Sequence, residues 1–188
     1  MKIILGSQSF GRKQVLERAG YEFEIMSADI DEKAIRSDNY EELPLLLARA
    51  KAQALLERIK EPALLITSDQ IVVWNGQLRE KPESVGQAKE YLKSYADFPA
   101  QTNTAVVITN TATGVQAEGV DIAKVFFKQI PDIVIDELIS KTKLMYTAGG
   151  IIVEHPLFSP YIDRIEGEIN SVSGLPLILT QELLEQVK

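Results

Sequence analysis

The chain has 188 residues, 45% of them hydrophobic and 25% charged, the balance of a folded domain of ordinary size. Twenty Lys plus Arg against twenty-seven Asp plus Glu give a formal charge of -7, which opposes non-specific attraction to a nucleic-acid polymer or an anionic membrane. No cysteine and a single histidine exclude a disulfide framework, a thiolate metal site and a multi-histidine zinc centre within one chain, so a bound metal would take oxygen ligands.

The opening residues hold too short an apolar run for a secretory signal, and no segment approaches the length of a membrane span, so a cytoplasmic protein is expected. Residues 3–5 read as a strand ending at Gly6. From Arg12 the spacing of Val15, Leu16 and Ala19 predicts a helix that stops at Gly20. Weak alternation of Tyr21, Phe23 and Ile25 predicts a second strand over residues 21–28, before a charged stretch at 29–36. A long helix is expected over 41–60. Residues 63–74 read as a strand that is apolar apart from Thr67, Ser68, Asp69 and Gln70, and Asn75-Gly76 supplies a hairpin turn into a return strand at 77–80. Helical spacing returns at 85–95, strands at 104–109 and 115–127 flank a turn at Thr113-Gly114, and a helix is expected at 131–141. The last quarter offers Ala148-Gly149-Gly150, a strand-like run at 151–153, a loop with Pro156 and Pro160, and a final helix opening near Leu175-Pro176. Strands and helices alternate without a linker or a repeat, which predicts one α/β domain, its mixed sheet flanked by helices and its two lobes set about a central cleft.

Gly6-Ser7-Gln8-Ser9-Phe10-Gly11-Arg12-Lys13 joins the first strand to the first helix, and its small residues can aim amides and hydroxyls at an anion. The spacing mimics a Walker A loop, but Arg12-Lys13 stands where that motif requires Lys followed by Ser or Thr, and the P-loop reading is rejected. Cations in a first helical turn oppose the macrodipole by about 0.3–1 kcal/mol each, a penalty that a bound polyphosphate reverses; a solvated basic pair is the alternative. Asp69 interrupts a buried-looking strand, where a lone carboxylate costs several kcal/mol unless it is paired or metal-bound. It either hydrogen-bonds locally as a structural residue or holds a metal and activates water. Asp29, Asp31 and Glu32 read by default as a helix cap, Lys51 as solvated surface and Lys81 as nothing more specific. Glu154, next to His155, can accept two hydrogen bonds from a flat donor edge such as guanine N1–H and its 2-amino group, or can be an exposed loop residue.

In conjunction these segments resemble the Maf family of nucleoside triphosphate pyrophosphatases, and the resemblance runs from Lys2 to the final helix. It is carried by Gly6-Ser7-Gln8-Ser9 with Arg12-Lys13, Asp31-Glu32, Lys51-Ala52, Ser68-Asp69-Gln70, Lys81-Pro82, Ala148-Gly149-Gly150 and Gly174-Leu175-Pro176, in that order. The stretches 29–36 and 154–157 look like the eukaryotic, plant-type members. The resemblance implies a fold related to inosine triphosphate pyrophosphatases, a homodimer, and cleavage of a nucleoside triphosphate to monophosphate and pyrophosphate. Carried over residue by residue, it makes Asp69 the general base, puts Glu32 with Asp69 at a Mg²⁺ or Mn²⁺ ion, and makes Ser7, Arg12, Lys13, Lys51 and Lys81 the phosphate-side contacts. Gln70 and Glu154 resemble the subgroup that accepts 7-methylguanosine triphosphate. Many relatives have proline where Phe10 stands, and an arginine or a large aromatic, thought to face the base, where Gly11 stands. Two rival readings are a pyrophosphatase of the same family acting on dTTP or UTP, and a non-enzymatic nucleotide-binding regulator of cell division. A different phosphohydrolase or kinase built on residues 6–13 is disfavoured by the missing Lys-Ser/Thr pair.

Overall fold

The computed structural model describes residues Met1–Lys188, and one long strand, β3 (Ala63–Trp74), organises it. Parallel to its first half lies β1 (Lys2–Leu5), paired from Lys2 with Ala63 to Leu5 with Ile66, and the short β2 (Glu24–Ile25) lies outside β1. On its other side β5 (Ala100–Asn110) runs antiparallel along its whole length, followed by β6 (Gln116–Phe127) and β7 (Ile162–Glu166). The far end of β3 turns back through Asn75 and Gly76, at φ 46° and 76°, into β4 (Gln77–Arg79). The result is the mixed α/β sheet with flanking helices that the sequence predicts.

Alternation along the central strands sorts the packing. Leu5, Leu64, Ile66, Val106 and Ile108 face α1 (Phe10–Arg18) and α6 (Leu177–Gln186), contributing to one cluster with Leu16 and Leu183. Ile4, Leu65, Ala105 and Val107 face α2 (Glu42–Leu56), meeting Ala48, Ala52 and Leu55. The far end carries a third cluster, in which Val72, Tyr95, Phe127, Leu138 and Phe158 join β3 to α3 (Val85–Ser94), α4 (Asp132–Lys141) and the segment after it. Apolar packing uses β3 up to Ile66 and from Ile71 onward. The polar run Thr67–Gln70 therefore lies between cores.

Several boundaries differ from the sequence reading. The strand expected over 21–28 shrinks to two residues, because Gly20 N–H donates to the Glu17 carbonyl and Tyr21 N–H to the Leu16 carbonyl, closing α1 with a Schellman cap that consumes the start of the strand. The helix expected to Lys60 ends at Leu56, where Arg58 N–H turns back to Leu55. Residues 100–103 extend β5 although they are mostly polar: Asn103 Nδ2 donates to the Tyr40 carbonyl at 2.7 Å, which satisfies its buried amide. The run 151–153 forms no strand, yet Ile151 and Val153 are buried in the far core. The loop expected after Pro160 instead contains β7, and a one-turn helix, α5 (Ile169–Val172), follows it.

Candidate active site

Thr67 to Gln70 serve both faces of the sheet by simple alternation. On one face Thr67 Oγ1 donates to the Ala48 carbonyl at 2.9 Å, fixing α2 against β3, and Asp69 Oδ1 accepts a hydrogen bond from Lys51 Nζ one helical turn further on. On the other face Ser68 Oγ donates to the Gly174 carbonyl at 2.9 Å, and Gln70 Nε2 reaches the Ser171 and Val172 carbonyls at 2.6 and 3.2 Å. Because those carbonyls can only accept, they fix the nitrogen of the Gln70 amide and leave its oxygen as the end that can accept.

Lys51 is not the solvated surface lysine that its helix suggests. It lies on the buried stripe formed with Leu47, Ala48, Ala52 and Leu55, and only 9% of it is exposed. Its ammonium contacts Asp69 and also Glu32 Oε1, at 2.7 Å, so it is engaged by the two carboxylates that the resemblance assigns to a metal. Glu32 opens a single 3-10 turn, residues Glu32–Ala34, capped by Asp31, whose carboxylate accepts from Lys33 N–H. Burial raises the Glu32 carboxyl, but the hydrogen bond and charge of Lys51, with Lys81 and Arg12 further off, hold it below the ordinary carboxylate value.

The first loop supplies the next group. Arg12 Nη1 donates to Ser7 Oγ at 3.0 Å and Arg12 Nε to the Gly174 carbonyl at 2.9 Å, while Ser7 Oγ also accepts from Ser9 N–H. Burial lowers the Arg12 guanidinium from its usual value, opposed by the charges of Asp69 and Glu32. Gly174, at φ 97°, thus offers one carbonyl to both Arg12 and Ser68, and the segment Ser171–Gly174 also anchors Gln70. Ser173 Oγ donates to Glu154, which places Glu154 on this segment's side. Gly11 does not open a space for a base: a Cβ there would lie 2.4 Å from the Ser173 carbonyl oxygen.

A cleft of about 280 Å³ opens beside Asp69, lined by Glu32, Asp69, Gln70 and Lys81 together with Lys33, Arg36, Arg79, Glu80, Glu83 and an apolar wall of Leu43, Leu47, Ile71, Leu78, Pro82 and Ala148. Ser7, Arg12, Lys13, Lys51 and Glu154 are not among the lining residues. Lys13 makes no side-chain hydrogen bond or ion pair in the first turn of α1, nor does Lys81 on its side of the cleft.

Sequence reasoning missed Arg36 and Arg79. Arg36 pins the Glu32 turn through the Glu32 and Ile35 carbonyls and an ion pair to Glu80 at 3.4 Å. Arg79 is buried, with its guanidinium 4.0–4.8 Å from the ring centres of Trp74, Tyr91 and Tyr95 and hydrogen-bonded to the Tyr91 carbonyl and Ser94 Oγ. No sequence spacing announces that box. Beside it Tyr95 Oη donates to the Gly149 carbonyl at 2.7 Å and Gly149 N–H to the Glu80 carbonyl at 3.0 Å, which ties the 148–150 turn to the Lys81 segment.

The donor set fits a hard divalent ion shared with a substrate. Two carboxylate oxygens converge on one cation, and no cluster of three acidic, histidine or cysteine side chains forms a cage of its own. Mg²⁺ is commonly held in that way, by one or two carboxylates with phosphate and water completing the shell. Carboxylates and cations so arranged have the chemistry of a phosphoanhydride hydrolase. The chain belongs to the Maf-like protein family, which it matches over residues 2–187. It is 49% identical to a 7-methyl-GTP pyrophosphatase from Dictyostelium discoideum, over 98% of this chain and 96% of that one. A dTTP/UTP pyrophosphatase from Vibrio vulnificus (strain YJ016) is 32% identical, over 98% of each chain. Among solved structures, a nucleoside-triphosphatase / dITP/XTP pyrophosphatase from Mycobacterium abscessus aligns with 100% of this chain and 95% of its own at a TM-score of 0.42 and 13% identity, too loose a likeness to bear on the site.

Proposed function

We propose that this chain hydrolyses nucleoside triphosphates to the monophosphate and pyrophosphate around Asp69, with 7-methylguanosine triphosphate as the favoured substrate. The observation that carries the reading is the convergence of Asp69 and Glu32 on Lys51 beside a cleft whose lining includes Lys33 and Lys81. Relatives named as pyrophosphatases over nearly their whole length support the same reaction, the hydrolysis of an acid anhydride.

In this reading Asp69 takes a proton from water as the water oxygen bonds to the α-phosphorus, and the bridging α–β oxygen leaves with pyrophosphate. Ser7, Arg12, Lys13, Lys51 and Lys81 hold the phosphates and offset the charge that builds on the leaving group. Glu32 and Asp69 would hold Mg²⁺ or Mn²⁺, which when bound supplies Lewis-acid stabilisation of the phosphate oxygens. Gln70 and Glu154 face the base as acceptors. Guanine offers them N1–H and the 2-amino group, whereas uracil and thymine offer only N3–H. Identity of 32% to a dTTP/UTP pyrophosphatase keeps pyrimidine triphosphates as the second reading.

The reading includes one domain of two lobes about the cleft, a homodimer, a cytoplasmic location, and no nucleic-acid polymer or membrane as partner. No helix is long and apolar enough to cross a membrane. The test is release of pyrophosphate and monophosphate from a panel of standard and methylated nucleoside triphosphates with Mg²⁺ or Mn²⁺, comparing wild type with Asp69→Asn. Loss of about 10²- to 10⁴-fold in kcat is expected of the variant. Equal turnover by the two proteins, or tenfold preference for UTP or dTTP, would overturn the base assignment or the substrate order respectively.

A further inference from the structure

Lys51 is placed where two roles compete. Its buried ammonium bridges Glu32 and Asp69, and those same two carboxylates are the pair that the metal-dependent reading assigns to the ion. A cation in that position compensates Asp69, whose burial would otherwise be costly, and pairs with Glu32, which is exposed. It also engages the oxygen lone pairs that a divalent ion needs. The backbone beneath it is fixed, because Ala48 and Ala52 pack directly on the sheet and Thr67 Oγ1 bonds the Ala48 carbonyl. The movable part is the four-carbon stem of the lysine.

We propose that Lys51 is a displaceable counter-ion: without metal it holds Glu32 and Asp69, and the divalent ion binds by displacing it, which frees the ammonium for the phosphates of the nucleotide. The inference rests on the metal-dependent reading above and adds an order to it. Metal binding that releases Lys51 strengthens the hold on a polyphosphate, and by linkage a polyphosphate that draws Lys51 away strengthens metal binding by the same factor. Lys81 provides the comparison, since it acts on Glu32 only through space and touches neither carboxylate.

The experiment is Mn²⁺ binding without nucleotide, followed by the electron paramagnetic resonance of free Mn²⁺, in wild type, Lys51→Met, Lys81→Met and Asp69→Asn. Displacement predicts binding about tenfold tighter in Lys51→Met, a size ordinary for coupled sites, with little change in Lys81→Met and weaker binding in Asp69→Asn. Unchanged affinity in Lys51→Met, or equal tightening in Lys81→Met, overturns the inference and leaves the metal site standing. Equal binding by wild type and Asp69→Asn removes the metal from these carboxylates and overturns both. Should Lys51→Met fail to fold, the wild type decides: the Lys51 Cε–Hε signal must move in step with Mg²⁺ occupancy, and a signal that stays fixed at saturation refutes displacement.

Discussion

Gly11→Ala tests the close approach that holds the loop of residues 6–13 against the Ser171–Gly174 segment. Alanine is the better helix former by about 1 kcal/mol in a helix interior, so propensity alone predicts a neutral or stabilising change in α1. The structure predicts the opposite sign. A Cβ at position 11 lies 2.4 Å from the Ser173 carbonyl oxygen, and restoring an ordinary contact of 3.4 Å moves that backbone by about 1 Å. The Ser173–Gly174 peptide cannot shift so far without stretching the bonds from Arg12 Nε and Ser68 Oγ to Gly174, both now 2.9 Å. Overpacking of this kind costs about 1–3 kcal/mol, which for a chain of this length lowers Tm by about 4–8 °C at the middle of that range. Displacing Arg12 by a fraction of an ångström is expected to cost about tenfold to a hundredfold in kcat/KM. Calorimetry and pyrophosphate release on the same preparation check both effects. A variant as stable and as active as wild type would refute the close-packing argument and return position 11 to a wall open to the base.

Glu168→Ala should remove the cap of α6, whose preceding residue is Pro176 and which instead relies on the Glu168 carboxylate accepting from Leu177 N–H at 2.8 Å and Ile178 N–H at 3.2 Å. A loss of about 1 kcal/mol in chemical denaturation is expected. Tyr95→Phe leaves the Gly149 carbonyl without its buried donor and should cost about 1–2 kcal/mol, with KM rising if the tied Lys81 segment loosens. Burial also raises the Tyr95 phenol above its ordinary 10.0, with Arg79 opposing. Its contribution to stability is therefore full below pH about 10 and falls as pH rises past that value, because the unfolded chain ionises first. Alkaline titration monitored by tyrosinate absorbance should show one of the six tyrosines ionising only with unfolding.

Local chemistry made part of this fold legible. Asn75-Gly76 sets the β3–β4 hairpin and Ser84 caps α3 through Gln87 N–H, so those elements lie within a residue of expectation. β7 carried no such signal. Its pairing slips beside Phe126 and Phe127, so Phe127 faces Ile162 while Val125 faces Ile165, and two isoleucines three residues apart both reach the core. A period of two cannot show that. In the site, Asp69 was visible because a charge interrupts an apolar run, and Glu32, Lys51 and Lys81 became candidates only as a resemblance. What brings Glu32 and Lys51 to Asp69 is the crossing of α2 over β3 and the arrest of one 3-10 turn beside it, both tertiary facts.

The alternation of Thr67, Ser68, Asp69 and Gln70 also restricts how this chain can change length. Inserting or deleting one residue within β3 would exchange everything its two surfaces present, turning Asp69 toward the Ser171–Gly174 backbone and Ser68 or Gln70 toward Lys51. The turn between β5 and β6, with Thr111 and Thr113 near its tip and Gly114 at φ 77°, has no such stake in the chemistry. Length variation is therefore better tolerated at residues 112–114 of that turn, beyond the bonds that tie Thr111 to Ala63, while β3 behaves as a reading frame in which only substitutions are tolerated.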